Sequence, residues 1–131
     1  MDITFTQAQG SVPVTVIRLT GVLDSSSYEG FQSATLDAIE KGGHYILIDL
    51  TGVPYMSSAG VRALNEIFRR LDVTHGLDGK MEKGLLDGSY HSPHLKLLNP
   101  SVRVVEVLKM VGMDMYIEFL HDYNAAVASF K

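Results

Sequence analysis

The amino-acid sequence predicts a single α/β domain with a mixed, mostly parallel sheet, one antiparallel strand at its start and about four helices. Segments with strand patterns alternate with segments of helical apolar spacing, and most connections between them are short. The chain has 131 residues, which is one domain by length (residues 1–131). A chain of this size can bury a core without metal or disulfide support.

The antiparallel strand belongs to a hairpin. The stretches "ITFTQAQ" (3–9) and "VPVTVIRLTG" (12–21) alternate apolar and polar residues and are rich in Val, Ile and Thr. Gly10 and Ser11 lie between them and indicate a turn.

The next two elements are a helix and a buried strand. Apolar residues recur at helical spacing from Phe31 to Ile39, and Gly42 with Gly43 indicates where the helix ends. Its candidate N-caps are the serines of the run 25–27. The apolar run "YILIDL" (45–50) is typical of a strand that is buried on both faces.

The second helix is the clearest in the sequence, because apolar residues from Val61 to Leu71 fall on one side and charged residues on the other. The segment from Asp72 to Pro93 then breaks the pattern with four glycines and mixed charges. It predicts an inserted loop at about residues 72–93, longer than compact domains usually contain.

The last third predicts strand, helix, strand and helix. The strand is "HLKLLN" (94–99), and Pro100 suits the first position of a helix that Gly112 ends. The run "MYIEFL" (115–120) predicts a final strand, and residues 121–130 predict a short final helix.

Composition excludes several classes of function. The net charge of -4 argues against direct nucleic-acid binding, which needs clustered Lys and Arg. The absence of cysteine excludes thiolate chemistry and thiolate-ligated metals, and it fits a reducing compartment. No secretory signal and no apolar run of about 18 residues is present, so we expect a cytoplasmic protein without membrane insertion.

The stretch "YMSSAGVRAL" (55–64) places two serines between a buried strand and a helix, where open parallel sheets form their sites. One interpretation is structural: Ser57 or Ser58 caps the helix. The others are a nucleophile and a site of phosphorylation, and position alone leaves all three open.

Catalysis and cofactor binding have weaker support. A nucleophile elbow would read G-x-S-x-G, and no histidine is placed by sequence to activate either serine. No glycine-rich phosphate-binding motif is present. His91 and His94 with Asp87 fall short of the ligand set that a metal site needs. We therefore expect no enzyme activity, no cofactor and no metal.

Three segments carry a resemblance to a known family: "VTVIRLTGVLDSSSYEGF", "YILIDLTGVPYMSSAGVRAL" and "LKLLNPSVRVVEVLKMVGM". Their most specific parts are G-x-L-D at Gly21 to Asp24 and the run from Ile48 to Gly60. In this order they resemble the STAS domain of bacterial anti-sigma factor antagonists.

The resemblance implies a function and a site. The implied function is a non-catalytic protein that binds an anti-sigma factor with serine kinase activity, releases a sigma factor, and is reset by a serine phosphatase. Ser58 is the implied phosphorylation site, with Ser57 as the alternative. Asp24 is expected beside the serines at the partner-binding surface, and Gly60 is expected to let a partner's backbone approach.

The resemblance also leaves rivals. STAS domains serve as scaffold subunits in lipid-transport ABC complexes and stress-signalling assemblies, and as tails of anion transporters. A nucleotide-binding protein that uses the same helix end is a rival of another class. The sequence leaves the oligomeric state open, a homodimer included.

Overall fold

A computed structural model describes residues 1–75 and 91–131 of the chain. Its elements, in chain order, are β1 (Asp2–Gln9), β2 (Pro13–Thr20), α1 (Tyr28–Glu40), β3 (Ile46–Gly52), α2 (Ser58–His75), β4 (Leu95–Leu98), α3 (Val102–Met110), a 3-10 turn (Met113–Met115), β5 (Glu118–Leu120) and α4 (Tyr123–Ser129).

The strands form one five-stranded sheet whose spatial order is the order of the chain. β1 and β2 are antiparallel, and every other neighbouring pair is parallel. The predicted fold class is thereby confirmed. Each parallel pair is joined by a helix, and because such crossovers are right-handed and the order runs one way, α1, α2 and α3 lie on one face.

The sheet therefore has a core on each face. The larger core packs the central strands against α1, α2 and α3, with Phe31, Leu64 and Val104 buried from the three helices. The smaller core lies on the opposite face under α4, where Phe130 and Val127 pack on the sheet. This second cover explains why β3 and β4 are apolar runs and do not alternate.

Two helix starts differ from the sequence expectation. Ser27 precedes α1, but its hydroxyl makes no capping bond and donates instead to the Val22 carbonyl (2.8 Å). Pro100 is not the first residue of α3, because Ser101 takes the cap and its hydroxyl accepts from the Val104 amide. Because Ser101 is the N-cap, Pro100 lies one residue before the cap instead of at the first helical position.

The final strand is shorter than predicted. Gly112 ends α3 with φ of 77°, as expected of a helix stop, but a 3-10 turn (Met113–Met115) follows it. β5 consequently begins only at Glu118. The apolar run from Met115 predicts a strand because its side chains carry no signal for this extra turn.

α2 is longer than the sequence suggested. It continues to His75, so the first four residues of the predicted insertion at 72–93 are helical. Residues 76–90 lie outside the described residues, and there the insertion stays a prediction. The buried Asp72 accepts from the Ser92 hydroxyl (2.8 Å to one carboxylate oxygen). This bond links α2 to the segment just before β4.

Candidate functional site at the carboxyl edge of the sheet

The candidate site lies where β2, β3 and β4 end. Because parallel strands point the same way, the loops that follow them meet at one edge of the sheet. The loop after β2 carries Asp24, and the loop after β3 leads into Ser57, Ser58 and α2. The sequence expectation that Asp24 and the serines share an edge therefore agrees with the topology.

The backbone joins these two loops to each other. The Leu23 amide donates to the Tyr55 carbonyl (3.1 Å), and the Ser57 amide donates to the Leu23 carbonyl (2.9 Å). Leu23 and Met56 thus form a parallel bridge beyond the ends of their strands. Both side chains are fully buried, so the loops form one packed body and the residues they carry have fixed relative positions.

Ser57 and Ser58 have different roles at the start of α2. The Ser57 carbonyl accepts from the Val61 amide (3.1 Å) and its hydroxyl accepts from the Ala59 amide (3.3 Å), which makes Ser57 the N-cap. Ser58 is the first helical residue and is exposed, whereas Ser57 is partly buried. Within the described part of the chain, no residue hydrogen-bonds to the Ser58 hydroxyl.

Asp24 is held as a carboxylate by its own loop. Its Oδ1 accepts from the Ser26 hydroxyl (2.6 Å) and the Ser26 amide (2.9 Å). These bonds, the hydroxyl first, lower the pKa of Asp24, with Ser27 contributing less. The edge therefore carries a fixed negative charge at neutral pH, in the loop that is bonded to Ser57.

Gly60 is buried in the first turn of α2. A Cβ at this position would lie 2.7 Å from Cγ of Met56 and 2.9 Å from Cγ of Leu23, which is closer than side chains tolerate. Packing within the chain accounts for a glycine here. The approach of a partner's backbone to Gly60 stays a prediction.

Sequence reasoning missed the apolar character of this edge. The segments that begin or end at this edge expose four large apolar side chains: Met1, Val22, Tyr55 and Val102. Val102 is 75% exposed, and the Arg103 guanidinium carbon lies 5.2 Å from the centroid of the Tyr55 ring. Exposed apolar side chains at the same edge as an exposed hydroxyl favour a protein-binding surface there.

The family model of the STAS domain matches residues 6–77, more than half of the chain. The chain belongs to the STAS domain family. The match spans both segments of the candidate site, from the Asp24 loop to the serine helix.

Solved structures with the same fold include several anti-sigma factor antagonists. A candidate antagonist from Thermotoga maritima aligns with a TM-score of 0.76 at 15% identity, over 98% of this chain and 93% of the other. An antagonist from Mycobacterium paratuberculosis gives 0.71 at 16% identity, over 98% and 94%. The phosphorylated Bacillus cell fate determinant SpoIIAA gives 0.66 at 22% identity, over 98% and 100%.

At these identities the likeness shows the fold. No curated protein sequence matches the chain. None of the helices in the described residues is long and apolar enough to cross a membrane.

A network of hydrogen-bonded polar side chains connects β2, β3 and the end of β4 in this STAS domain. The Asp49 side chain is 2% exposed, and its carboxylate accepts from Arg18 Nε (3.0 Å) and from the amide of Thr51 (3.0 Å). The Asn99 side-chain amide donates to the Thr51 hydroxyl (3.1 Å) and links the end of β4 to the end of β3. Burial would raise the pKa of Asp49, but the bonds from Thr51 and then Arg18 outweigh it, and the pKa is lowered.

The histidines considered for a metal site form no such cluster. Among residues 1–75 and 91–131, no group of three or more His, Asp or Glu side chains could hold a metal ion. Asp87, considered together with the two histidines, lies outside the described residues. His94 instead contacts the His44 carbonyl through Nδ1 (2.9 Å), where it joins the starts of β3 and β4.

Proposed function

We propose that this STAS domain is an anti-sigma factor antagonist whose binding is switched by phosphorylation of Ser58. In the unmodified form it binds an anti-sigma factor that is also a serine kinase, and it thereby frees a sigma factor. The observation that carries the proposal is the exposed Ser58 hydroxyl at the first residue of α2, on an edge of the sheet whose loops also expose apolar side chains.

The position of Ser58 lets a phosphate change binding without changing the fold. A phosphoserine adds a charge of about -1.5 to -2 at neutral pH. At the first residue of α2 the helix dipole and the unpaired amides of the first turn favour that charge. The modified domain therefore stays folded, and the effect of the phosphate falls on whatever docks at the edge.

At the docked surface the same charge is unfavourable. The phosphate would lie at the same edge of the sheet as the exposed Tyr55 and Val102 and would have to lose water on binding. The carboxylate of Asp24 adds a second negative charge to the loop bonded to Ser57. Like charges in a closed interface cost several kcal/mol, and each ~1.4 kcal/mol lowers affinity tenfold.

Ser58 is the better acceptor of the two serines. The Ser57 hydroxyl already accepts from the Ala59 amide and is partly buried, so a phosphate there would replace the cap. We propose that the domain catalyses nothing itself, acts in the cytoplasm, and depends on a separate serine phosphatase for its reset.

The test uses the full chain and extract of the cells that make it. With Mg-ATP, the wild type and Ser57→Ala are expected to gain one phosphate and Ser58→Ala none, measured by mass spectrometry of the intact chain. Captured on beads, Ser58→Ala is expected to retain a kinase-like protein whether or not ATP is added. Ser58→Asp is expected to retain less, since it supplies only part of the charge.

Two results would contradict the proposal. Phosphate on Ser58→Ala would move the site to another residue. Equal retention of one partner by all variants, with no phosphate on any of them, would favour an unmodified scaffold of a transport or stress-signalling assembly.

A further inference from the structure

Within residues 1–75 and 91–131, the first strand of the sheet is an unprotected edge. β1 has eight residues that pair with β2 in unbroken register, and no described residue pairs with its other side. Its outward amide and carbonyl groups are therefore a template for another strand. The opposite edge strand, β5, has only three residues, and a short edge is one way in which proteins avoid such pairing.

The sequence of β1 lacks the residues that blunt an edge. The strand "DITFTQAQ" contains no proline and no lysine, and its single charge is Asp2 at one end. Six of its eight residues are exposed, and Phe5 is 46% exposed. A long, regular and nearly uncharged edge strand is expected to take up a partner strand.

α1 does not cover the outer part of this strand. A groove of about 380 Å³ runs between β1 and the end of α1, with Phe5 and Pro13 on one side and Ala38 and Lys41 on the other. Phe5 therefore meets solvent on its outer side. A further strand beside β1 would cover the Phe5 ring, which the described residues leave partly exposed.

The side chains of β1 are complementary to a second copy of β1. With Phe5 placed opposite Phe5 of an antiparallel second copy, Thr4 lies opposite Thr6 and Thr6 opposite Thr4. Aromatic pairs and threonine pairs are among the favourable cross-strand neighbours. The two-fold symmetry makes the contact identical for both copies and closes it at two chains.

The charges also fit this register. Asp2 lies opposite Ala8 of the second copy, so the two Asp2 carboxylates stand six residues apart. At ~3.3 Å per residue this is about 20 Å, beyond the screening length of ~8 Å at physiological salt. No like charges face each other along the paired strands.

We propose that β1 is a self-association surface, through which two copies of this chain join their sheets with Phe5 at the two-fold axis. The contact lies on the side edge of the sheet and uses none of the residues of the candidate site. Because the strands are antiparallel across the axis, the two carboxyl edges point in opposite directions. Each copy therefore keeps its Ser58 exposed.

The first test is the mass of the full chain in solution, by sedimentation velocity from micromolar to millimolar concentration. The wild type is expected to shift from 14.4 kDa towards twice that mass. Phe5→Lys, which places two cations at the axis, is expected to stay monomeric. Met115→Lys is the matched control, since Met115 is exposed and lies on the turn before β5, and it is expected to behave as wild type.

The second test uses the absence of cysteine in the chain. Directly opposite residues of antiparallel strands have Cα atoms about 4.5–5.5 Å apart, which suits a disulfide. Phe5→Cys is therefore expected to form a covalent dimer under mild oxidation, and Met115→Cys is expected to form little. This readout also serves if Phe5→Lys fails to fold, as judged by circular dichroism.

A monomer at every concentration would overturn the proposal and leave β1 to a strand of a different protein. A dimer that persists in folded Phe5→Lys, or equal crosslinking of both cysteine variants, would place the contact elsewhere on the molecule and would overturn it too. None of these results depends on Ser58 or on an anti-sigma factor, so this proposal and the proposed function can fail independently.

Discussion

Gly60 lies in the first turn of α2 with no room for a side chain. Its two nearest neighbours, Met56 and Leu23, are fully buried and cannot move into solvent. We expect Gly60→Ala to lower the free energy of unfolding by about 1–3 kcal/mol, the usual cost of overpacking a core. Urea denaturation at neutral pH measures this change in the free energy of unfolding.

Gly30 provides a matched control in the first turn of α1. It is exposed, and a Cβ built there meets no atom within 4 Å. Gly30→Ala is expected to raise the free energy of unfolding by about 0.4–1 kcal/mol, because alanine has less backbone freedom to lose. If Gly60→Ala were as stable as wild type, the two neighbours would have to relax, and packing would no longer explain the glycine.

Local spacing predicted the start of α2 well and the surface around it poorly. A serine pair between a buried strand and an amphipathic helix indicates a cap, and Ser57 fills it. The exposure of Val102 had no such sign, because a valine in a first helical turn looks the same in sequence whether or not another element packs over it. Whether a side chain is exposed depends on tertiary contacts, and the apolar spacing within one segment gives no information about those contacts.

α4 covers one face of the sheet, and a single lysine holds its end. Lys96 is 7% exposed, and its ammonium donates to the Ser129 carbonyl (3.1 Å) and hydroxyl (2.9 Å). The same ammonium lies 4.9 Å from the centroid of the Phe130 ring. Burial lowers the pKa of Lys96. The charge therefore has a solvation cost that the bonds to Ser129 offset.

We expect Lys96→Met to loosen α4 and to leave the rest of the fold intact. Methionine keeps the apolar stem but loses both bonds to Ser129, with an expected net loss of about 1–2 kcal/mol. Amide hydrogen exchange in α4 is expected to speed up about tenfold, while β3 exchanges as before. Lys109→Met is the control, because Lys109 is exposed on α3. Equal exchange in the two variants would show that Lys96 does not hold the helix.

At the level of elements, the sequence predicted which segments are helices and strands better than where each begins. The centres of α2 and β3 follow from their apolar spacing, which burial imposes. The starts of α3 and β5 depend on local hydrogen bonds, namely the Ser101 cap and the 3-10 turn after Gly112. Several residues compete for such bonds, and the outcome depends on how the chain enters and leaves the core.

For the whole molecule, the order of elements was enough to predict the sheet. Alternating strands and helices with short links allow few topologies, and the handedness of the crossovers selects among them. The sequence did not show what covers the second face. Strands buried on both faces require a cover there, and it comes from α4 through Val127 and Phe130.

Two aspartates of the described residues contribute to the acid sensitivity of the fold. The pKa values of Asp24 and Asp49 are both lowered in the folded chain, so each carboxyl binds its proton less readily there than in the unfolded chain. Their stabilising contribution is therefore complete above the ordinary aspartate pKa of about 3.9 and is lost as the pH falls through the lower folded values. The free energy of unfolding is expected to fall below about pH 4 as these contributions are lost.

Asp49→Asn separates the contribution of the Asp49 charge from general acid unfolding. Asn keeps an acceptor for Thr51 but turns an amide towards Arg18, so at pH 7 we expect a loss of about 1–3 kcal/mol. Below about pH 4 the wild type loses the same interaction, and the difference between the two proteins should shrink. Asp37→Asn is the control, because its ion pair with Lys41 is exposed on both sides and contributes little at any pH. Urea denaturation at pH 7 and at pH 3 measures the free energy of unfolding of both proteins. If the difference between wild type and Asp49→Asn were the same at both pH values, the charge of Asp49 would not stabilise the edge.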